Sequence, residues 1–260
     1  MTLERCVLLI LLYKTISKIM IIKTRGIVFH ARKYSETSLI ADIFTEEKGL
    51  RSYIISGVRS KKAKVSASLL QMMSVVDLVA YHRDDRDLTR IREIKAGYVY
   101  QSLPFDVRKS AVGQFMVEVA RKTIREMEAN NALFDFLMRN FLFLDQTTQT
   151  FANVHLHFLL ELTAYLGFLP SGEYGADTPV FDLQEGGFVA KVPGHPHFVP
   201  EEKSRIISQI LHAPLELCHE IRMTREVRHE VVNHMLDFYR LHIDHFPTIH
   251  AHRILREVLG

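Results

Sequence analysis

The hydrophobic pattern of this chain changes period once, and that change limits the fold more than any motif does. From residue 23 to about 99, apolar and polar residues alternate with a period of two and β-branched residues are frequent. Beyond Pro104 the apolar residues return at helical spacing. A β-rich front and a helical back therefore share 260 residues, enough for one large domain or two ordinary ones. The front reads as five strands, at 26–33, 38–45, 50–56, 75–81 and 88–95, with a turn at 46–49 that ends in glycine and a charged turn at 83–87. Five short antiparallel strands in that length fit a closed barrel of the OB type, spanning 20–104. The back, 105–260, reads as helices at 107–127, 133–144, 151–166, 201–211, 224–243 and 248–259. A Gly- and Pro-rich interruption at 171–200 carries a β-hairpin signal at 180–191. The expected fold is α+β, a five-stranded OB-type barrel followed by a helical domain with a small hairpin insertion.

Charge divides along the same line. Residues 20–104 carry 15 Lys and Arg against 9 acids, whereas 105–260 carry 15 against 20. A basic front with an acidic back points to a polyanion partner for the front alone. Its densest stretch is 57–64, where Arg59, Lys61, Lys62 and Lys64 occur without an acid. Cations spaced this way on a loop neutralise phosphates without reading bases, although a solvated basic loop has the same composition. Lys23, Arg25, Arg32, Lys33, Arg51, Arg90, Arg92 and Lys95 add to the excess. Tryptophan is absent, so base stacking falls to Tyr34, Tyr53, Phe29 or arginine planes.

Catalytic signatures are missing. The sequence has no phosphate-cradling Gly-rich loop ending in Lys-Ser/Thr, no HExxH and no nucleophile elbow. Cys6 and Cys218 form no motif, which fits a reducing cytoplasm. Twelve of fourteen histidines follow residue 150. The pairs His155/His157 and His250/His252 fall on helices, where residues two apart diverge and do not chelate together. His195 and His197 lie in irregular chain without cysteine partners, so no metal and no cofactor is expected. The apolar run 6–13 is too short to cross a bilayer. Met20 opens a stretch that reads as a natural beginning, so 1–19 are expected to be an upstream extension.

Four stretches together carry a family resemblance: Gly26-Ile-Val; Tyr34-Ser-Glu-Thr-Ser38; Phe44-Thr-Glu-Glu-Lys-Gly49; and Ser56-Gly-Val-Arg-Ser-Lys-Lys-Ala-Lys64. With Leu162–Pro170 and the ending Ile254-Leu-Arg-Glu-Val-Leu, they resemble the bacterial RecO family over residues 20–260. The resemblance implies a non-enzymatic recombination mediator with an OB domain and a helical domain. It would bind single- and double-stranded DNA, anneal strands, engage the tail of single-strand-binding protein, and work with RecR to load RecA. It also implies a cytoplasmic, nucleoid-associated protein, monomeric when free. Phosphate binding carries over to Arg59, Lys61, Lys62 and Lys64, with Arg25, Arg32, Lys33 and Arg51 as further positions. For the acidic, apolar-ended tail, Arg121, Lys122 and Arg125 are one candidate receptor and the helix 224–243, with Arg225 and Arg228, is the other, although a solvated face has the same composition. Many members hold zinc with two cysteine pairs, but residues 171–200 contain no cysteine. The hairpin module is therefore expected to hold by packing. The reading from another class is a protein-interaction scaffold whose barrel does not bind DNA.

Overall fold

β1 (Met20–Lys33) is the strand on which the first part of the chain closes. In this computed structural model, which describes residues 20–58, 66–83 and 86–259, β1 is long enough to serve two neighbours. Its residues Met20 to Ile27 pair with β4 (Val75–His82), and Gly26 to Lys33 pair with β2 (Leu39–Thr45), both antiparallel. Gly26 stands in register with both Thr45 and Val76, where β1 passes from one neighbour to the other, and a Cβ there would meet Ile43 Cγ2 at 2.5 Å. β3 (Gly49–Ile55) and β5 (Leu88–Ala96) complete a closed barrel in the order β1-β2-β3-β5-β4.

Closure corrects one expectation. The strands are not all antiparallel: β3 and β5 run parallel, in register from Ser52↔Leu88 to Ile54↔Arg90. Alternation reports which face a residue takes, not which way its neighbour runs. The interior holds Val28, Ala41, Ile43, Tyr53, Ile55, Val76, Leu78, Ala80 and Ile91, the inward set of each strand. A bulge between Val28 and His30 adds Phe29, which is buried and stacks on Phe44 at 5.7 Å. The chain divides into two compact units, and Glu126–Asn131 groups with the barrel although the sequence places it in the helical domain.

The second unit comprises Tyr100–Arg125 and everything from Ala132 onward. Its helices among the described residues are α1 (Val107–Thr123), α2 (Asn131–Gln146), α3 (Val154–Leu166), α4 (Glu201–His212), α5 (Arg225–His242) and α6 (Ala251–Val258). α1 starts on Asp106, whose carboxylate accepts from the Arg108 and Lys109 amides. It stops four residues earlier than its pattern implies, because Glu126 and Met127 give their carbonyls to Leu50 N and Arg51 Nη2 of the first unit. Asp145 on α2 is buried and accepts the backbone amides of Gln101, Ser102 and Leu103 at 2.8–3.1 Å, fixing the entry segment. Lys109, also buried, donates its ammonium to the carbonyls of Asp145 and Thr147.

The interruption folds as a three-stranded sheet, β6 (Val180–Asp182), β7 (Gly187–Val189) and β8 (Phe198–Val199), in the order β7-β6-β8. β8 is too short to show a period. Phe181 packs on Phe188 and Phe238, with centroids 5.0 and 5.5 Å apart. Ser204 Oγ accepts from Phe181 N and donates to Val199 O, locking α4 to the sheet.

Candidate nucleic-acid interface

The outward side of the barrel is set by the same alternation that fills its core. Across four strands one row reads His30↔Asp42↔Ser52↔Leu88, and the next outward row reads Arg32↔Ile40↔Ile54↔Arg90. Between them the inward row Ala31↔Ala41↔Tyr53↔Thr89 turns into the core. Two arginines thus flank two isoleucines, and an acid lies one outward row away. Asp42 is the centre of that polar group: Ser52 Oγ donates to Oδ1 at 2.5 Å, Arg32 Nη1 donates to Oδ2 at 3.0 Å, and His30 Nδ1 stands 4.0 Å away.

The phosphate ligands expected from the sequence fare differently from one another. Lys33 closes β1, is exposed, and makes no ion pair among the described residues. It lies in the row Lys33↔Leu39↔Ile55, so β3 delivers the basic stretch from the barrel end that presents Lys33. Arg59, Lys61, Lys62 and Lys64 themselves fall outside the described residues. Arg32 is held by Asp42. Arg25 forms a two-pronged pair with Glu46, at 2.9 and 2.7 Å, and that hydrogen bond holds the Glu46 carboxyl below its usual range. Arg51 donates to the carbonyls of Lys48 and Met127, tying β3 to the 126–131 segment. Of the aromatics, Phe29 and Tyr53 are fully buried, while Tyr34 is 58% exposed in the β1–β2 turn beside Lys33. Asp42 and Ser52 escaped the sequence reading. The one available signal was an acid between two inward residues, Ala41 and Ile43.

On the helical unit, Arg121 and Arg125 are exposed and make no ion pair among the described residues. Lys122 is engaged. Its ammonium donates to Glu118 at 2.5 Å and to the Thr248 carbonyl, while Glu118 accepts the His250 and Ala251 amides at the start of α6. His155 and His157 are buried on α3. His195 Nε2 stands 3.3 Å from Asp182 Oδ2, whose other oxygen accepts the Gln184 and Glu185 amides. Zinc does not fit here: the module has no cysteine, and His195 Nδ1 already accepts the His197 backbone amide at 3.3 Å. Among the described residues no group of three or more His, Cys, Asp or Glu side chains could hold a metal ion. No helix among them is long and apolar enough to cross a membrane.

Comparison with known proteins gives this geometry a family. Residues 20–99 match the family described as Recombination protein O N terminal, and 104–249 match Recombination protein O C terminal. Relatives called DNA repair protein RecO include that of Phocaeicola vulgatus, 36% identical over 93% of this chain and 100% of its own length. Those of Bacteroides fragilis (34%, 92% and 99%) and Christiangramia forsetii (35%, 93% and 100%) are similar to it over the same span. With a five-stranded barrel in front and a helical unit behind, the chain belongs to the RecO family of DNA repair and recombination proteins.

Proposed function

We propose that this protein is a recombination mediator that acts through binding alone. The barrel holds single- and double-stranded DNA by phosphates, through Lys33 and the basic stretch 59–64 that follows β3 in the sequence. Two backbones neutralised side by side can pair, which is strand annealing. The helical unit recruits the acidic tail of single-strand-binding protein, and with RecR the protein assists RecA on coated gaps. It works as a free monomer in the cytoplasm. The observation that carries this reading is Lys33, which pairs with no carboxylate among the described residues and lies in the same strand row as Ile55, two residues before Gly57 opens the basic stretch. Arg32, Arg25 and Arg51 already hold protein partners, which compete with phosphate for their guanidinium groups.

The test is single-stranded DNA binding across a salt series, for the natural chain and for Arg59, Lys61, Lys62 and Lys64 all changed to Ala. Each phosphate no longer neutralised lowers the log–log slope by about 0.7, so the quadruple variant should lose a slope of roughly 2 to 3. An unchanged slope would move DNA off this loop and favour the scaffold reading. For the tail, Arg121→Ala with Arg125→Ala should weaken binding of an acidic, apolar-ended peptide about tenfold, since two charge-assisted hydrogen bonds are removed. Unchanged affinity would leave Arg225 and Arg228 as the receptor.

A further inference from the structure

α5 and α6 turn like-charged stripes towards one another. On α5, Arg225, Arg228 and His229 fall at helical i, i+3, i+4 spacing, and on α6 His252 and Arg256 are four apart. With His155 of α3 beneath them, these side chains line a cavity of about 30 Å3, and the other lining residues are apolar. No carboxylate lines it among the described residues. Glu226, outside the cavity lining, interacts with Arg225; Glu118 caps α6 and pairs with Lys122, and Glu230 pairs with Lys203 at 2.7 Å.

None of the three arginines forms an ion pair among the described residues. Arg225 donates to the Arg256 carbonyl, and Arg228 Nε donates to Asn153 Oδ1 at 2.9 Å. Asn153 is itself fixed by the carbonyls of Cys218 and Ile221, so the Arg228 guanidinium is held in place against the cavity. Facing cationic stripes repel, and a partly buried guanidinium without an acid is costly. The histidines report the same field. Burial and then Arg228 push His155 down to about 3; burial and then Arg256 lower His229; burial lowers His252, with Arg253 adding to it. Glu230 and Glu118 oppose the last two shifts without cancelling them. The Nδ1 atom of His155 is buried without a hydrogen-bond partner.

We infer that this cavity receives one small oxyanion, a carboxylate or phosphate group, between Arg225, Arg228 and Arg256. Its size admits the head of such a group, roughly two waters in volume, and not a nucleotide. Guanidinium groups meet oxyanions in charge-assisted, two-pronged bonds, and bringing in the anion removes the repulsion between the helices. The site lies wholly in the helical unit and does not depend on DNA binding by the barrel. Arg225 and Arg228 also belong to the second candidate receptor for the tail, so the anion has two sources: a free phosphate, or the terminal carboxylate of an acidic peptide.

The experiment titrates inorganic phosphate into the full-length protein, following thermal unfolding and binding heat, with sodium chloride at matched ionic strength as the control. A saturable rise in Tm with phosphate, absent with chloride, is expected. Arg256→Gln should weaken it at least tenfold, because that side chain makes no hydrogen bond among the described residues and its loss leaves the fold intact. Arg228→Lys, which keeps the charge, should retain part of the effect, and Arg222→Gln, outside the cavity, all of it. An acidic peptide with a free C-terminus, and its amidated form, are then offered in competition. Displacement of phosphate by the free-acid peptide alone assigns the carboxylate source; phosphate binding untouched by either peptide assigns the free ion. If neither phosphate nor the free-acid peptide gives a saturable effect that Arg256→Gln weakens, the inference is wrong.

Discussion

Asp42→Asn should tighten single-stranded DNA binding. Asp42 sits in the outward face of β2, clamps Arg32 at 3.0 Å, and adds a negative charge to a surface that is to meet phosphates. Asparagine keeps the size and an acceptor for Ser52, so the barrel is left intact. Two effects add. The Arg32–Asp42 pair is half exposed on the arginine side, at 52% and 22%, which places its strength at about 0.2–1 kcal/mol. Removing one charge about 8 Å from a phosphate in a water-like dielectric contributes about 0.5 kcal/mol more. The sum, about 0.7–1.5 kcal/mol, is a three- to tenfold lower Kd. The freed guanidinium should also steepen the log–log salt slope by about 0.7, one further phosphate neutralised. Fluorescence anisotropy of a labelled oligothymidine between 50 and 200 mM salt, conditions in which phosphate binding changes steeply, reads both quantities. In an Arg32→Ala background most of the gain should vanish. A Kd unchanged within twofold, or a weaker one, refutes the argument that Asp42 competes with phosphate for Arg32.

Two further outcomes follow from the packing. Gly49 has φ +62°, and a Cβ there would lie 2.4 Å from Glu128 O and 2.5 Å from Glu126 O. Gly49→Ala should therefore push the 126–131 segment off β3, losing the Leu50–Glu126 and Arg51–Met127 bonds at a cost of about 2–4 kcal/mol in urea unfolding; a cost under about 0.5 kcal/mol would contradict it. His155 is fully buried with a pKa lowered to about 3, so between pH 6.5 and about 3 the unfolded chain takes a proton that the folded one does not. Its contribution is complete above pH 6.5 and is lost on acidification by up to about 1.4 kcal/mol per pH unit, a slope that His155→Leu should remove from unfolding measured between pH 4 and 7.

The order of strands and helices was legible because burial imposes a period. Ala41 and Ile43 had to face inward and Asp42 outward, and the helices expected from 107 and 224 begin beside Asp106 and Thr224, the caps that the fold supplies. The hairpin at 180–191 was visible in its glycines. What alternation does not carry is the identity of the neighbour across the sheet. Hence the parallel β3–β5 closure, the first six residues of β1 and the two-residue β8 emerged only in the folded chain. The same limit governs function. Composition showed an excess of cations on the barrel, but whether a cation is available depends on which side chains tertiary pairing places beside it. Arg25 meets Glu46, twenty-one residues away, and Arg51 meets Met127, seventy-six away, while Lys33 meets no acid among the described residues. In the helical unit, Arg225, Arg228 and Arg256 are ordinary surface cations in the sequence. They become a site only because α5 and α6 pack with those faces opposed, and charge acts through distance in space, not along the chain.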